Sequence, residues 1–269
     1  MTKNHARRIC KLLLTQVVVL LAVVLTPTRS RAIETPDPTL SAAAPAAVVS
    51  IHDIVAGPTA ANQTCTGVLI STRHVLTAGH CMLDAWFTRV AVVVNNRDGA
   101  RTYRPAAIKI IGSYNDQTRS GGGLMNDLAV ITLERDVAGV SPVALPKSTG
   151  LPSTGLVVYG WGLDGGGKNH GTLGAQRLRL HSGVQAGRPW FDSSTQFSAY
   201  GISAAGKRYE AVCDGDSGGP VLHRAGNGPT TVVGIVSYGG DCRLDATAVY
   251  VKVGKYLKWI NSIIMRAAR

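Results

Sequence analysis

Three short runs hold side chains that together can do chemistry none does alone: Thr77-Ala78-Gly79-His80-Cys81, Asn126-Asp127-Leu128-Ala129-Val130 and Gly215-Asp216-Ser217-Gly218-Gly219-Pro220. A serine hydroxyl is a poor nucleophile at neutral pH unless a base lies within hydrogen-bond reach. Histidine suits that task because its pKa sits near the working pH. A buried aspartate then fixes the imidazole tautomer and stabilises the imidazolium as it forms. Glycines flanking the serine let backbone N–H groups approach a developing oxyanion. His80 is thus the candidate base, Asp127 its orienting acid and Ser217 the nucleophile. A lone histidine or aspartate carries little weight, being most often a surface, core or cap residue. The constrained string around Ser217 carries far more, and the three in this order more again.

The same serine also reads as G-x-S-x-G, the nucleophile elbow of a parallel-sheet hydrolase. That arrangement needs the order Ser…Asp…His on a strand–turn–helix. After Ser217 only His223 remains, six residues on and ahead of any downstream acid. The surroundings also lack a βαβ pattern, so this alternative is set aside.

The elements that must position these side chains are short β-rich runs at 48–51, 67–70, 90–94 and 128–133, and again at 156–159, 177–180, 232–237 and 249–253. Turn residues punctuate them, including Gly121-Gly122-Gly123 and Gly165-Gly166-Gly167. Many short strands with no intervening helix predict an all-β antiparallel sandwich or barrel pair. One helix is predicted, over 254–265, where Tyr256, Leu257, Trp259, Ile260, Ile263 and Ile264 recur at helical spacing. Residues 147–152 form the natural boundary between two strand-rich halves.

Composition bounds the rest. The 269 residues are 45% hydrophobic and 16% charged, enough to bury a sizeable core and too apolar for a disordered chain. No heptad, collagen or solenoid period runs through them. The formal charge of +12 hints at a nucleic-acid partner, but its location argues otherwise. Lys3, Arg7, Arg8 and Lys11 precede an apolar run from Leu12 to Leu25, and Ser30-Arg31-Ala32 follows with small residues at the cut positions. This is the order of a secretory signal peptide, 1–32, and the run is short for a membrane span. Its removal takes six basic residues and no acidic one, lowering the net charge to +6 and leaving 237 residues. Cys10 leaves with it. Cys65, Cys81, Cys213 and Cys242 remain, an even number in an exported chain, with no spacing that matches a zinc site.

These motifs resemble the trypsin/chymotrypsin family of serine proteases: TAGHC its histidine motif, NDLAVITL its aspartate motif and GDSGGP its serine motif. The likeness covers most of the mature chain. Cys65–Ile70 resembles the strand before the histidine and Tyr159-Gly160-Trp161-Gly162 the family's GWG loop. Ser237-Tyr238-Gly239 resembles its substrate strand, with Tyr for the usual Trp, and 250–260 its closing strand and helix. The resemblance implies two six-stranded antiparallel β-barrels and a C-terminal α-helix. His80 and Asp127 would come from the first barrel (33–148) and Ser217 from the second (149–269). It implies an oxyanion hole from Gly215 and Ser217, and disulfides Cys65–Cys81 and Cys213–Cys242. It also implies a substrate pocket formed by Ala211, Ser237, Tyr238, Gly239 and Ala248.

In that family a freed N-terminal amine pairs with the Asp before the nucleophile, here Asp216. Ile54-Val55-Ala56-Gly57 looks like the usual terminus but lies only 11 residues before Cys65, too close to supply the first strand. Counting back from Pro45 selects Ile33, which is also the residue a cut after Ala32 releases. Ala211 stands at the pocket base where enzymes cutting after Arg or Lys carry Asp, and Ala248 adds a methyl to the wall. An unpaired buried cation is costly, so medium-sized apolar residues are expected before the scissile bond. The expectation is a secreted, monomeric endopeptidase acting on proteins or peptides. It needs no cofactor, metal, nucleic acid or membrane anchor. A secreted esterase or amidase with the same triad, or a non-catalytic binding protein on the same fold, are the competing readings.

Overall fold

The structure, a computed structural model, describes residues 33, 37–53, 63–83, 90–96, 99–116, 124–163, 172–181, 191–209, 211–239 and 247–266. The leader, the Ile54–Gly57 run and Cys242 lie outside them. Strands dominate. In the first half they are β1 (Val48–Asp53), β2 (Gln63–Leu69), β3 (His74–Thr77), β4 (Val90–Asn96), β5 (Gly99–Tyr103), β6 (Pro105–Ile110), the short β7 (Asn115–Asp116) and β8 (Leu124–Met125), and β9 (Ala129–Leu133). The second half holds β10 (Leu156–Gly160), β11 (Gly174–Leu180), β12 (Gln196–Ile202), β13 (Arg208–Tyr209), β14 (Pro220–Arg224), β15 (Thr230–Tyr238) and β16 (Ala248–Lys252).

The second half closes. Its sheet runs β11-β10-β14-β15-β16-β12-β13, and β11 also pairs with β12, so six antiparallel strands form a barrel with β13 appended. Leu156, Val158, Leu178, Phe197, Val221, Val236 and Tyr250 fill it, with the Phe197 and Tyr250 rings stacked at 5.0 Å. The first half holds the other barrel of the expected pair. Its sheet runs β5-β4-β1-β2-β3-β9-β6. Only Arg104 separates β5 from β6, so 99–110 runs as one bent strand that pairs with β4 at its start and with β9 at its end and links the two edges of the sheet. It encloses a core of Ile51, Leu69, Leu76, Leu128, Ile131 and Leu133, all fully buried.

The closing helix arrives as predicted, with a tighter start. Val253–Tyr256 is a 3₁₀ turn that leads into an α-helix at Leu257–Arg266. Its Ile260 is buried, and Tyr256 donates a 2.7 Å hydrogen bond to Asn126 Oδ1, next to Asp127. A further helix, α1 (Pro38–Ala42), was not expected in what reads as a Pro/Ala-rich arm. Asp37 caps it, with Oδ1 accepting from the N–H groups of Thr39 and Leu40, and Pro38 occupies the first turn. The arm is tied to β11: Asp37 N–H donates to the Ala175 carbonyl at 2.8 Å, and Arg177 pairs with Asp37 Oδ2 at 2.8 Å.

Candidate active site

Asp127 is fully buried at the start of β9 and both of its oxygens are occupied by the residues around it. Oδ1 accepts from the His80 backbone N–H at 2.7 Å. Oδ2 accepts from His80 Nδ1 at 2.8 Å and from the Ser237 hydroxyl at 2.6 Å. One carboxylate therefore holds both the backbone and the ring of His80. With Nδ1–H donated to Asp127, Nε2 is the nitrogen left to accept a proton. His80 opens a 3₁₀ turn after Gly79, and a Cβ on Gly79 would lie 3.1 Å from Leu128 N and 3.2 Å from Asp127 Oδ1. The bare glycine is what lets the turn come this close.

Burial disfavours the His80 imidazolium, but attraction to Asp127 and the hydrogen bond to it outweigh burial. The net result is a pKa above the ordinary imidazole value. The ring stays partly open, its side chain 24% exposed, so it remains reachable from the cavity.

Ser217 lies on the turn before β14 and lines the same cavity of about 380 Å³ as His80, Asp214 and Gly215. Among the described residues its hydroxyl makes no hydrogen bond to His80. The turn that carries it demands glycine. Gly215 has φ +87° and Gly218 φ +79°, and a Cβ on Gly218 would collide with the Thr77 hydroxyl and the Thr66 carbonyl.

Asp216 is buried beneath this turn. Its Oδ1 accepts from Gly162 N–H and its Oδ2 from Cys213 N–H, each at 2.8 Å. Burial pushes its carboxyl up to about 7 even against those two bonds. A Cβ on Gly160 or Gly162 would run into this carboxylate, which accounts for the glycines on either side of Trp161. Ile33 is fully buried and belongs to the apolar cluster of the second barrel that also holds Ala211 and Val212, with φ +70°.

Of the residues expected at the substrate pocket, Ala211 and Ala248 are fully buried, Tyr238 is half-buried and Gly239 is exposed. Ser237 is at a bulge, where the pairing of β15 with β16 shifts between Val236 and Tyr238, and its hydroxyl goes to Asp127. Two further contributions were missed by the sequence reading. His52 and Asp53, at the end of β1, line the cavity, with His52 Nε2 2.8 Å from the Ser50 hydroxyl. Thr66, on β2, contacts the Ser217 turn. His52 and Asp53 belong to no recognisable motif, and Thr66 lies in the Cys65–Ile70 run without standing out there.

A disulfide joins Cys65 to Cys81, tying β2 to the residue after His80. Cys213 is disulfide-bonded too, and its expected partner Cys242 lies outside the described residues. The donor atoms of Cys65, His80 and Cys81 lie within 4.8 Å of one another. Both sulfurs are spent on the disulfide, however, so a single imidazole remains and no metal-binding set results.

Two antiparallel β-barrels, with histidine and aspartate carried by one and a serine turn by the other, define a chymotrypsin-like architecture. The trypsin family model matches residues 47–260, and the chain belongs to the trypsin family of serine proteases. It is similar to phenoloxidase-activating factor 3 of Holotrichia diomphalia, 32% identical over 73% of this chain and 63% of that protein. Glucanase inhibitor protein 3 of Phytophthora infestans is 30% identical over 74% of this chain and 77% of its own length. Bovine chymotrypsin-C is 28% identical over 74% and 77%. The chain spans about three fifths of the length of the phenoloxidase-activating relatives it matches.

Proposed function

We propose that this protein is a secreted serine endopeptidase that works through Ser217, His80 and Asp127. The observation that carries the reading is the double grip of Asp127 on His80, beside a cavity that Ser217 also lines. His80 Nε2 takes the Ser217 proton as Oγ attacks the scissile carbonyl. Asp127 keeps its charge and stabilises the imidazolium. The carbonyl oxygen becomes an oxyanion facing the N–H groups of Gly215 and Ser217. His80 then gives its proton to the leaving amine, which departs and leaves an acyl group on Ser217. A water molecule repeats the sequence, with His80 again the base, and frees the acid. The Ser217–His80 hydrogen bond forms when substrate fills the cavity, since such bonds are commonly loose in empty sites.

Ala211 at the pocket base offers no carboxylate, and Ala248 narrows the wall. The favoured residues before the cut are Leu and Met, with Arg and Lys cleaved poorly. The leader ends where Ile33 begins, and Ile33 is buried in the same barrel as Asp216. A cut after Ala32 frees an ammonium group that supplies the counter-charge Asp216 needs, so export itself matures the enzyme. The disulfide Cys65–Cys81 fits an oxidising compartment. No helix among the described residues is long and apolar enough to cross a membrane. The similarity to a protein named as a glucanase inhibitor favours a second reading, a binding protein on the same fold. Cleavage of a peptide library decides between them. The endopeptidase gives cuts after Leu or Met that vanish in Ser217→Ala; the binder gives none.

A further inference from the structure

Thr66 is fully buried and every polar atom it has is committed. Its N–H donates to the Ser217 carbonyl at 2.8 Å, and its own carbonyl accepts from the Thr77 hydroxyl at 2.8 Å. Its hydroxyl accepts from the Trp161 N–H at 3.0 Å and lies 2.9 Å from the Gly215 carbonyl oxygen. The Trp161 bond uses an amide proton, so the hydroxyl's one proton is donated to Gly215. Gly215 and Ser217 are the two residues whose N–H groups the endopeptidase reading assigns to the oxyanion. Thr66 holds the carbonyl of each.

We propose that Thr66 is a positioning residue, whose hydroxyl preorganises the oxyanion hole from the first sheet by fixing the Gly215 carbonyl. The role rests on the endopeptidase reading above. Gly215 needs this support because a glycine at φ +87° has no Cβ to restrict the peptides on either side of it. The Gly215 carbonyl belongs to the Gly215–Asp216 peptide, so holding it fixes one side of the glycine; a swing of that peptide would displace Gly215 and with it the N–H on its other side. The turn is also held through Asp216, whose carboxylate accepts from Gly162 N–H and whose own N–H donates to the Cys213 carbonyl. By gripping Trp161 N–H as well, the Thr66 hydroxyl joins the nucleophile turn to the segment that holds Asp216. The two supports act as one unit, in which each member's loss is felt by the others. Preorganised donors act on the charge that develops in the transition state, so the effect belongs in kcat.

The test compares wild type with Thr66→Val, which puts a methyl where the hydroxyl was, and Thr66→Ser, which keeps the hydroxyl. Each is assayed with a Leu-containing peptide amide and with a peptide aldehyde whose tetrahedral adduct places its oxygen in the hole. Thr66→Val lowers kcat about tenfold at nearly unchanged KM, the weight of one hydrogen bond realised in the transition state. Aldehyde inhibition weakens by the same factor, and Thr66→Ser restores both. If the valine variant does not fold, Thr66→Ala carries the same expectation. An unchanged kcat overturns the role, as does a loss seen only in KM or one that Thr66→Ser does not restore. A wild-type chain that neither cleaves the peptide nor binds the aldehyde overturns the endopeptidase reading, and this role with it.

Discussion

Two forces act in opposite directions on His80. Burial resists its charge, while Asp127 attracts it through the field and the hydrogen bond, and the attraction wins. The neutral ring is the form that accepts a proton, so activity rises only as pH passes the raised value. The acid limb of kcat/KM therefore lies above the roughly 6.5 of a free imidazole. Asp127→Asn removes the attraction. It moves that limb to lower pH and costs on the order of 10³–10⁴ in kcat by releasing the tautomer. A pH–rate profile of the two proteins checks both effects. Asp216 is also shifted upward, chiefly by burial rather than by a partner charge. In the unprocessed chain its carboxyl is raised to about 7, so between about pH 4 and 7 the folded state holds a proton that the unfolded state has lost. Stability therefore falls as pH rises through that window, by a few kcal/mol, and levels off above it. Pairing with the Ile33 ammonium abolishes the slope, and Asp216→Asn abolishes it in the precursor. Thermal unfolding of the precursor and the mature chain across pH 4–8 reads this directly.

At the scale of elements, the disulfide closes a 16-residue span from β2 across β3 to the His80 turn. A closure of that length is worth about 3 kcal/mol. Replacing both cysteines by alanine lowers stability by that order in denaturant titration. It also weakens activity more than binding, because the residue after His80 is then no longer held to β2. The strands and terminal helix were legible in the sequence because apolar runs and turn residues mark them. His80, Asp127 and Ser217 stood out because each sits in a constrained string. Ser237 and Thr66 were not legible in their observed roles. Each is a small polar residue on a strand, and its target comes from a loop or turn remote in sequence. The helix at Pro38–Ala42 had a readable signal, Asp37 followed by Pro38, obscured by the alanines and prolines around it. The bend at Arg104, where β5 gives way to β6, is a boundary too fine for hydrophobic patterning to place.

For the whole molecule, half of the +12 lies in residues 1–32, so the proposed cut after Ala32 would leave a chain of +6. The proposed endopeptidase needs no nucleic-acid partner to account for that charge. The arm from Asp37 is built onto β11 through Ala175 and Arg177, which argues that the mature chain keeps it. N-terminal sequencing of the exported protein is predicted to begin at Ile33; any other start contradicts the maturation scheme. The central claim is that Ser217 is a nucleophile activated by His80. Its most direct test is labelling of the mature protein with a fluorophosphonate, followed by mass spectrometry of the modified peptide. The account predicts one phosphonylated residue, Ser217, with labelling lost in Ser217→Ala and strongly slowed in His80→Ala. A folded, correctly processed protein that takes no label, or takes it at another residue, contradicts it.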